Sequence, residues 1–275
     1  MSLLLAVAIV IGATAASVAL LLLVRRRAPD DGYFTDGDRA AGVFGVLATG
    51  FSVLLGFIVF LAFANYDVSR SGAETEAVVV AQQFATAELL PAAATQELSG
   101  ELVCYARSVV GQEWPAMEAG TAGDAINPWG VQLFQTLETV EPQTNAEQSA
   151  YDQWLEQTST REQARSDRIH GAEGVIPTPL WIVLGFIAFV IFIFMLFFAD
   201  PSERPHVQGL LIGSVVAVMV ATLLVIKSLD TPYHDGIGAV QPIAMERTLN
   251  IAEQARAALG RNDAVPCDAA GVPTG

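Results

Sequence analysis

The chain has 275 residues, of which 52% are hydrophobic and 16% charged, with a formal net charge of −15 and a mean hydropathy of +0.45. Soluble domains usually carry about 25% charged residues, so an ordinary cytosolic enzyme, a disordered chain and a disulfide-dense mini-protein are excluded. A nucleic-acid binder needs clustered basic residues to neutralise phosphates, and this chain has the opposite balance.

The charge deficit is concentrated in four uncharged runs: 3–24, 41–64, 176–198 and 207–226. Each is about 20 residues or more, the length a helix needs to cross roughly 30 Å of hydrocarbon. The first lacks a basic leader and is followed by Arg25, Arg26 and Arg27 rather than a small-residue cleavage site, so it reads as a retained span and not a signal peptide. Basic residues near span ends mark cytoplasmic loops. Arg25 to Arg27 and Arg39 lie between the first two spans, and Arg204 lies between the last two. The two short loops are therefore expected in the cytoplasm, and segments 65–175 and 227–275 outside it. The inside loops carry 5 Arg against 6 acidic residues, net −1; the outside segments carry 9 basic against 23 acidic residues, net −14. The expected address is the plasma (inner) membrane of a prokaryote.

The expected fold is all-α, with an α-helical extramembrane domain between the second and third spans and a helical C-terminal tail. Its domains are 1–64, 65–175, 176–226 and 227–275. The second span meets no proline until Pro91, so its helix is expected to run past the membrane to Leu89, roughly 70 Å from Ala41, with Gly72 as its weak point. Leu98, Leu102, Tyr105 and Val109 form the next stripe at helical spacing, closed by Glu113-Trp114-Pro115. The Gly- and Ala-rich 116–126 reads as a loop. Asn127-Pro128 reads as a cap followed by Pro at the first helical position, opening a helix to Val140. Thr144 to Glu147 is a capping box opening a helix towards His170. After a loop over 230–241, an amphipathic helix is expected from Pro242 to Leu259, with Gly260 at its end.

Candidate chemistry is sparse. Catalytic and phosphate-binding motifs are missing from the sequence, so neither an enzyme nor a cofactor is expected. His234-Asp235 beside Asp230 reads as a solvated loop as readily as the start of a metal site. The spans contain no ionisable residue, which argues against a proton- or ion-coupled pump but leaves a channel that gates by dewetting. Phe51, Leu55 and Ile58 are the candidate pore lining at helical spacing. Small residues recur every four positions at Gly209, Gly213, Ala217 and Ala221, at Ala48, Ser52 and Gly56, and at Ala8, Gly12 and Ala16, which suits close helix packing within or between subunits. Asp67, Arg70, Glu74 and Glu76 follow the second span, and Arg161, Arg165 and Arg168 precede the third. Glu74 or Glu76 is a candidate partner for Arg165 or Arg168, as an ion-pair lattice or as a charged vestibule. Cys104 and Cys267 both fall outside, where a disulfide persists, and bonding would tie the tail to the domain.

Leu54-Leu55-Gly56-Phe57, Asn65-Tyr66 and Glu76-Ala77, then Tyr105 with Glu113-Trp114-Pro115, Arg165 with Arg168, Pro177 with Trp181, and Leu229-Asp230 with Pro232-Tyr233 resemble, in that order, the bestrophin-like domain family of prokaryotic membrane proteins. The resemblance covers about residues 40 to 245. It implies four spans with a large domain between the second and third, and kinship with bestrophins, pentameric anion channels whose pore follows the second helix. Bestrophins hold that domain in the cytosol, whereas the charge pattern here places it outside, and net −14 repels anions near a pore mouth. Two functions follow as expectations. One is a homo-oligomeric, bestrophin-like anion channel. The other is a non-conducting sensor or scaffold whose acidic domain binds a cation or an envelope protein.

Overall fold

A computed structural model of the chain describes residues 2–29, 33–121, 127–234, 236, 238–261 and 263–274. Within them the fold is all-α, with no strand beyond one isolated bridge between Cys267 and Pro273. In chain order the helices are α1 (Leu3–Arg25), α2 (Gly37–Ala87), α3 (Ala92–Ser108), α4 (Trp114–Glu118), α5 (Pro128–Glu138), α6 (Asn145–His170), α7 (Thr178–Phe197), α8 (Pro205–Asp230) and α9 (Ile243–Ala258), with a π-helical turn, Val109–Glu113, joining α3 to α4. Four of them, α1, α2, α7 and α8, are long and apolar enough to cross a membrane. The chain is a four-span membrane protein with an α-helical extramembrane part and a helical C-terminal tail. It divides into two compact units, one formed by 1–65, 175–230 and 235–238, the other by 66–174, 231–234 and 239–275.

In the spanning unit, uncharged helices gain little from hydrophobic burial inside lipid, so close packing must hold them together. The small residues of α8 supply it: a Cβ at Gly213 would meet Thr14 and Val18 of α1 at 3.2 Å, and one at Gly209 would meet Val18 at 3.3 Å. Leu21, Phe51, Ile58, Leu184, Ile191 and Ile226 are buried at the centre of this unit. One end is tied by Arg25, whose guanidinium donates to the carbonyls of Pro201 (2.8 Å) and Glu203. The two short loops therefore share one end of the unit. At the other end the Asp230 carboxylate accepts from the backbone N–H groups of Val175 (2.9 Å) and Ile176 (2.8 Å), fixing the chain just before α7 begins.

The second unit is built around the last third of α2, with α3, α5, α6 and α9. The caps form as the sequence predicts. Asn127 accepts from Trp129 N–H at the start of α5, Thr144 and Glu147 close the capping box of α6, and Gly260 follows α9 at φ +73°. Two expectations are corrected. Gly72 is no weak point, because it is where α2 meets α6: a Cβ there would lie 2.7 Å from Arg168 N and 2.8 Å from Ala164 O. Nor does Glu113-Trp114-Pro115 end a helix. The π-turn, in which Trp114 N–H donates to Val109 O, shifts the register so that Pro115 falls in the first turn of α4, where a missing N–H costs nothing. The first residues of the expected 116–126 loop therefore belong to α4, and 122–126 lie outside the described residues.

The tail is pinned to this unit. Cys104 and Cys267 are disulfide-bonded across 163 residues, a closure that in the chain-entropy model stabilises by at most about 5 kcal/mol. Trp129 Nε1–H donates to Gly271 O at 2.6 Å. Gly271 has φ +79°, and a Cβ there would strike Ser108 N at 2.3 Å, so no other residue fits without displacing α3.

Candidate functional site

The family-resemblance residues of the second unit converge on one buried ionic cluster. Glycine at position 72 lets α2 and α6 approach, and this brings Glu76 to Arg168. Both side chains are fully buried. Arg168 donates through Nε to Glu76 Oε2 and through Nη2 to Glu76 Oε1 (3.0 Å) and Glu113 Oε2 (2.6 Å). The π-turn carries Glu113 into this position, a common use of such turns.

Further side chains donate into this triad and around it. Tyr105 O–H donates to Glu76 Oε1 at 2.6 Å. Asn127 donates through Nδ2 to Glu113 Oε1 at 2.7 Å while its oxygen caps α5. Arg165 lies 3.4 Å from Glu113. Tyr233 O–H donates to the carbonyl of Arg168 at 2.6 Å, and its ring meets Trp114 edge-on at 5.4 Å. The Arg168 guanidinium lies 5.7 Å from the Trp114 ring centre. Arg161, also buried, sits 4.9 Å over the Tyr105 ring and donates to Gln83 (2.9 Å) and Glu162 (2.8 Å).

The electrostatics follow from burial and pairing. Burial opposes ionisation of Glu113, but Arg168 and Arg165 outweigh it and hold its carboxyl below the ordinary carboxylate range. Burial likewise opposes the charge on Arg168, and Glu76 and Glu113 more than restore it, raising its pKa. Burial, with Glu76 alongside, pushes the Tyr105 phenol well up, and burial pushes Tyr233 up. The arrangement keeps the Glu113 carboxylate charged and two phenols protonated as donors. That suits a rigid hub and not acid–base chemistry at neutral pH.

The remaining sequence candidates fall elsewhere. Arg70 and Glu74 pair at 3.1 Å on the exposed surface of α2, and Asp67 is exposed as well. Phe51 and Ile58 are buried within the spanning unit and Leu55 is half-buried, because α2 turns this face towards its own neighbours. The exposed face of α2 carries Val46, Val53, Phe57 and Phe60, each 63 to 77% accessible. Asp235, half of the candidate metal pair, lies outside the described residues. Among the described residues no group of three or more His, Cys, Asp or Glu is placed to hold a metal ion. Sequence reading missed the bond from Asn127 to Glu113, Gln83 and the buried half of the tail. An Asn that caps a helix uses only its oxygen, and its spare NH2 leaves no mark in the sequence.

Four spans and a helical unit organised on this cluster define a class of multi-pass membrane protein. The sequence profile of the Bestrophin-like domain matches residues 11–245, and the chain belongs to that family. Among solved structures, the chain is similar to a bacterial Bestrophin homolog from Klebsiella pneumoniae, crystallised with single substitutions. One such structure is 12% identical, covering 88% of this chain and 98% of that one with a TM-score of 0.68; another is 12% identical, covering 89% and 98% with a TM-score of 0.67. A crystal structure titled simply as a membrane protein, also substituted, is 12% identical, covering 88% and 98% with a TM-score of 0.66. At this identity the likeness is one of fold. No curated protein matches the sequence.

The cluster predicts a specific pH signature for Glu113→Gln. At neutral pH the variant loses charge-assisted bonds to Arg168, a cost of about 1.5–3 kcal/mol, and thermal unfolding of the full-length protein occurs at lower temperature. A carboxyl with a lowered folded pKa stabilises fully above its unfolded value and loses that contribution as pH falls through the folded value. The gap between wild type and variant is therefore constant near neutrality and closes below about pH 4.5. A gap that persists unchanged into acid contradicts this assignment.

Proposed function

We propose that the protein is a homo-oligomeric, bestrophin-like anion channel in which the exposed face of α2 lines the pore. The observation that supports this reading best is the unpartnered apolar face of α2 at Val53, Phe57 and Phe60. The spans hold no ionisable residue, so a single chain has no polar path through its interior, and a wet path requires a ring of copies. In such a ring the phenylalanines form an apolar neck that gates by dewetting. These exposed positions replace Phe51, Leu55 and Ile58 as the lining. Asp67 and Glu74 then serve as an acidic vestibule that restrains anion entry.

Reconstitution in liposomes tests the proposal. The protein forms a symmetric ring in detergent and conducts halide. Phe57→Ala raises the flux by removing the constriction, and Glu74→Gln raises it by removing negative charge while freeing Arg70. A monomer or a face-to-face dimer without halide flux contradicts the channel and favours the non-conducting scaffold.

The location we propose is the prokaryotic inner membrane, with residues 66–174 on its outer side. The Arg25 to Arg27 run and Arg204 lie on loops that Arg25 holds to one end of the spanning unit, which favours that end as cytoplasmic. The Cys104–Cys267 bond favours an oxidising compartment for the other unit. In intact cells an impermeant maleimide labels Ser149→Cys, at an exposed site on α6, and spares Glu203→Cys. The reverse pattern overturns the orientation.

A further inference from the structure

The turn that carries Glu113 into the ionic cluster is itself backed by the end of the chain. Segment 263–274 lies beyond the residues that the family profile matches. It folds into a tight turn, in which the Asp268 carboxylate accepts from the N–H groups of Ala270 and Val272, each at 2.9 Å. This sets Ala270 and Gly271 against the π-turn. A Cβ at Gly111 would lie 3.0 Å from Ala270 Cα, and Gln112 Nε2–H donates to the Ala270 carbonyl at 3.0 Å. Trp129, whose indole donates to Gly271 O, has its own backbone N–H capped by Asn127, the residue that donates to Glu113. The tail thus touches both supports of Glu113, the π-turn and the start of α5. One residue turns a helix by about 100°, so loss of the extra residue in this turn aims Glu113 away from Arg168.

A single covalent bond joins this tail to α3, between Cys104 and Cys267. The end of α9 is fixed separately, by Arg256 donating to Ser99 at 2.6 Å and Arg261 donating to Glu88 at 2.7 Å. Opening the disulfide therefore frees 263–274 without freeing α9. Beside the bond lies Arg107. Its Nε and Nη2 go to Glu253, while Nη1 lies 4.0 Å from Cys267 Sγ. A guanidinium in that position favours a thiolate on Cys267, and with it the departure of that sulfur from a disulfide.

We propose that the Cys104–Cys267 bond is a redox-sensitive latch: a dithiol reductant opens it, the tail leaves the π-turn, and Glu113 loosens from Arg168. A thiolate of the reductant attacks Cys267 Sγ, on the less enclosed of the two residues. The bond between the cysteines breaks, and Cys104 leaves with the electron pair and takes a proton from water. The second thiol of the reductant, after losing its proton, attacks the reductant sulfur of the mixed disulfide and releases the Cys267 thiolate beside Arg107. The protein disulfide is reduced by two electrons, and the dithiol is oxidised to a cyclic disulfide.

The test is amide hydrogen exchange of the full-length protein in detergent, read by mass spectrometry with and without dithiothreitol. No flux is measured, so the outcome is separate from that of the channel proposal. Dithiothreitol exposes both thiols in the folded protein and speeds exchange on the order of tenfold at 263–274 and at 109–113, while α9 is unchanged. Gly271→Ala, which cannot seat against Ser108, speeds exchange at 109–113 with the disulfide intact. A folded protein whose disulfide resists dithiothreitol overturns the proposal. So does exchange at 109–113 that stays unchanged once the tail is released, or an equal acceleration throughout the second unit.

Discussion

A guanidinium buried away from water is expensive, by several kcal/mol, unless its charge and its N–H groups are met in place. Arg168 is such a group, with no exposed surface, and much of the second unit can be understood as the means of meeting it. Its two carboxylates come from different elements: Glu76 from α2 and Glu113 from the π-turn after α3. Each carboxylate is then satisfied by a third element or a second donor, Tyr105 for Glu76 and Asn127 for Glu113. Tyr233 closes the set by donating to the Arg168 carbonyl. Because each partner lies far from the others in sequence, the cluster specifies one arrangement of α2, α3, α5 and α6. A purely apolar core of equal volume would be as stable or more so, but would specify that arrangement less sharply.

The spanning unit follows different physics. With no charge to satisfy and lipid as apolar as its side chains, it relies on steric fit. The small residues Gly209 and Gly213 are used against α1, within one chain. On α2, a Cβ at Gly42, Gly45, Gly50 or Gly56 would meet no atom within 4 Å. Similar small-residue spacing thus serves internal packing on one helix and is left unused by the single chain on another.

How much of this could be read from the sequence depends on the range of the interaction. Length and apolarity are local, so the four spans were legible to within a few residues. Caps are local too, and Asn127, Thr144 with Glu147, and Gly260 all appear where the sequence places them. The disulfide was legible because only two cysteines exist. The π-turn was not. Trp114-Pro115 signals a stop by the ordinary rule, and the extra residue that absorbs the proline has no sequence mark. Gly72 was misread for the same reason, since a helix breaker and a point of close approach look identical until the partner helix is known. For the cluster, spacing put Arg161, Arg165 and Arg168 on related turns of one helix. Which arginine takes which carboxylate was fixed by the approach of α6 to α2. The face of α2 that the single chain leaves exposed could not be chosen from periodicity, because apolar residues occur all round that helix.

The dependence of the second unit on its buried guanidinium is open to a double-mutant cycle on Glu76 and Arg168, read from the stability of the full-length protein in detergent. Glu76→Gln and Arg168→Met each strand a buried charge and each destabilise by about 3–5 kcal/mol. The double variant strands none between the two positions, so it is destabilised by less than the sum, with a coupling of about 2 kcal/mol or more. Effects that add to within about 0.5 kcal/mol would mean that the two residues act independently, and that the fold of this unit does not rest on their pairing.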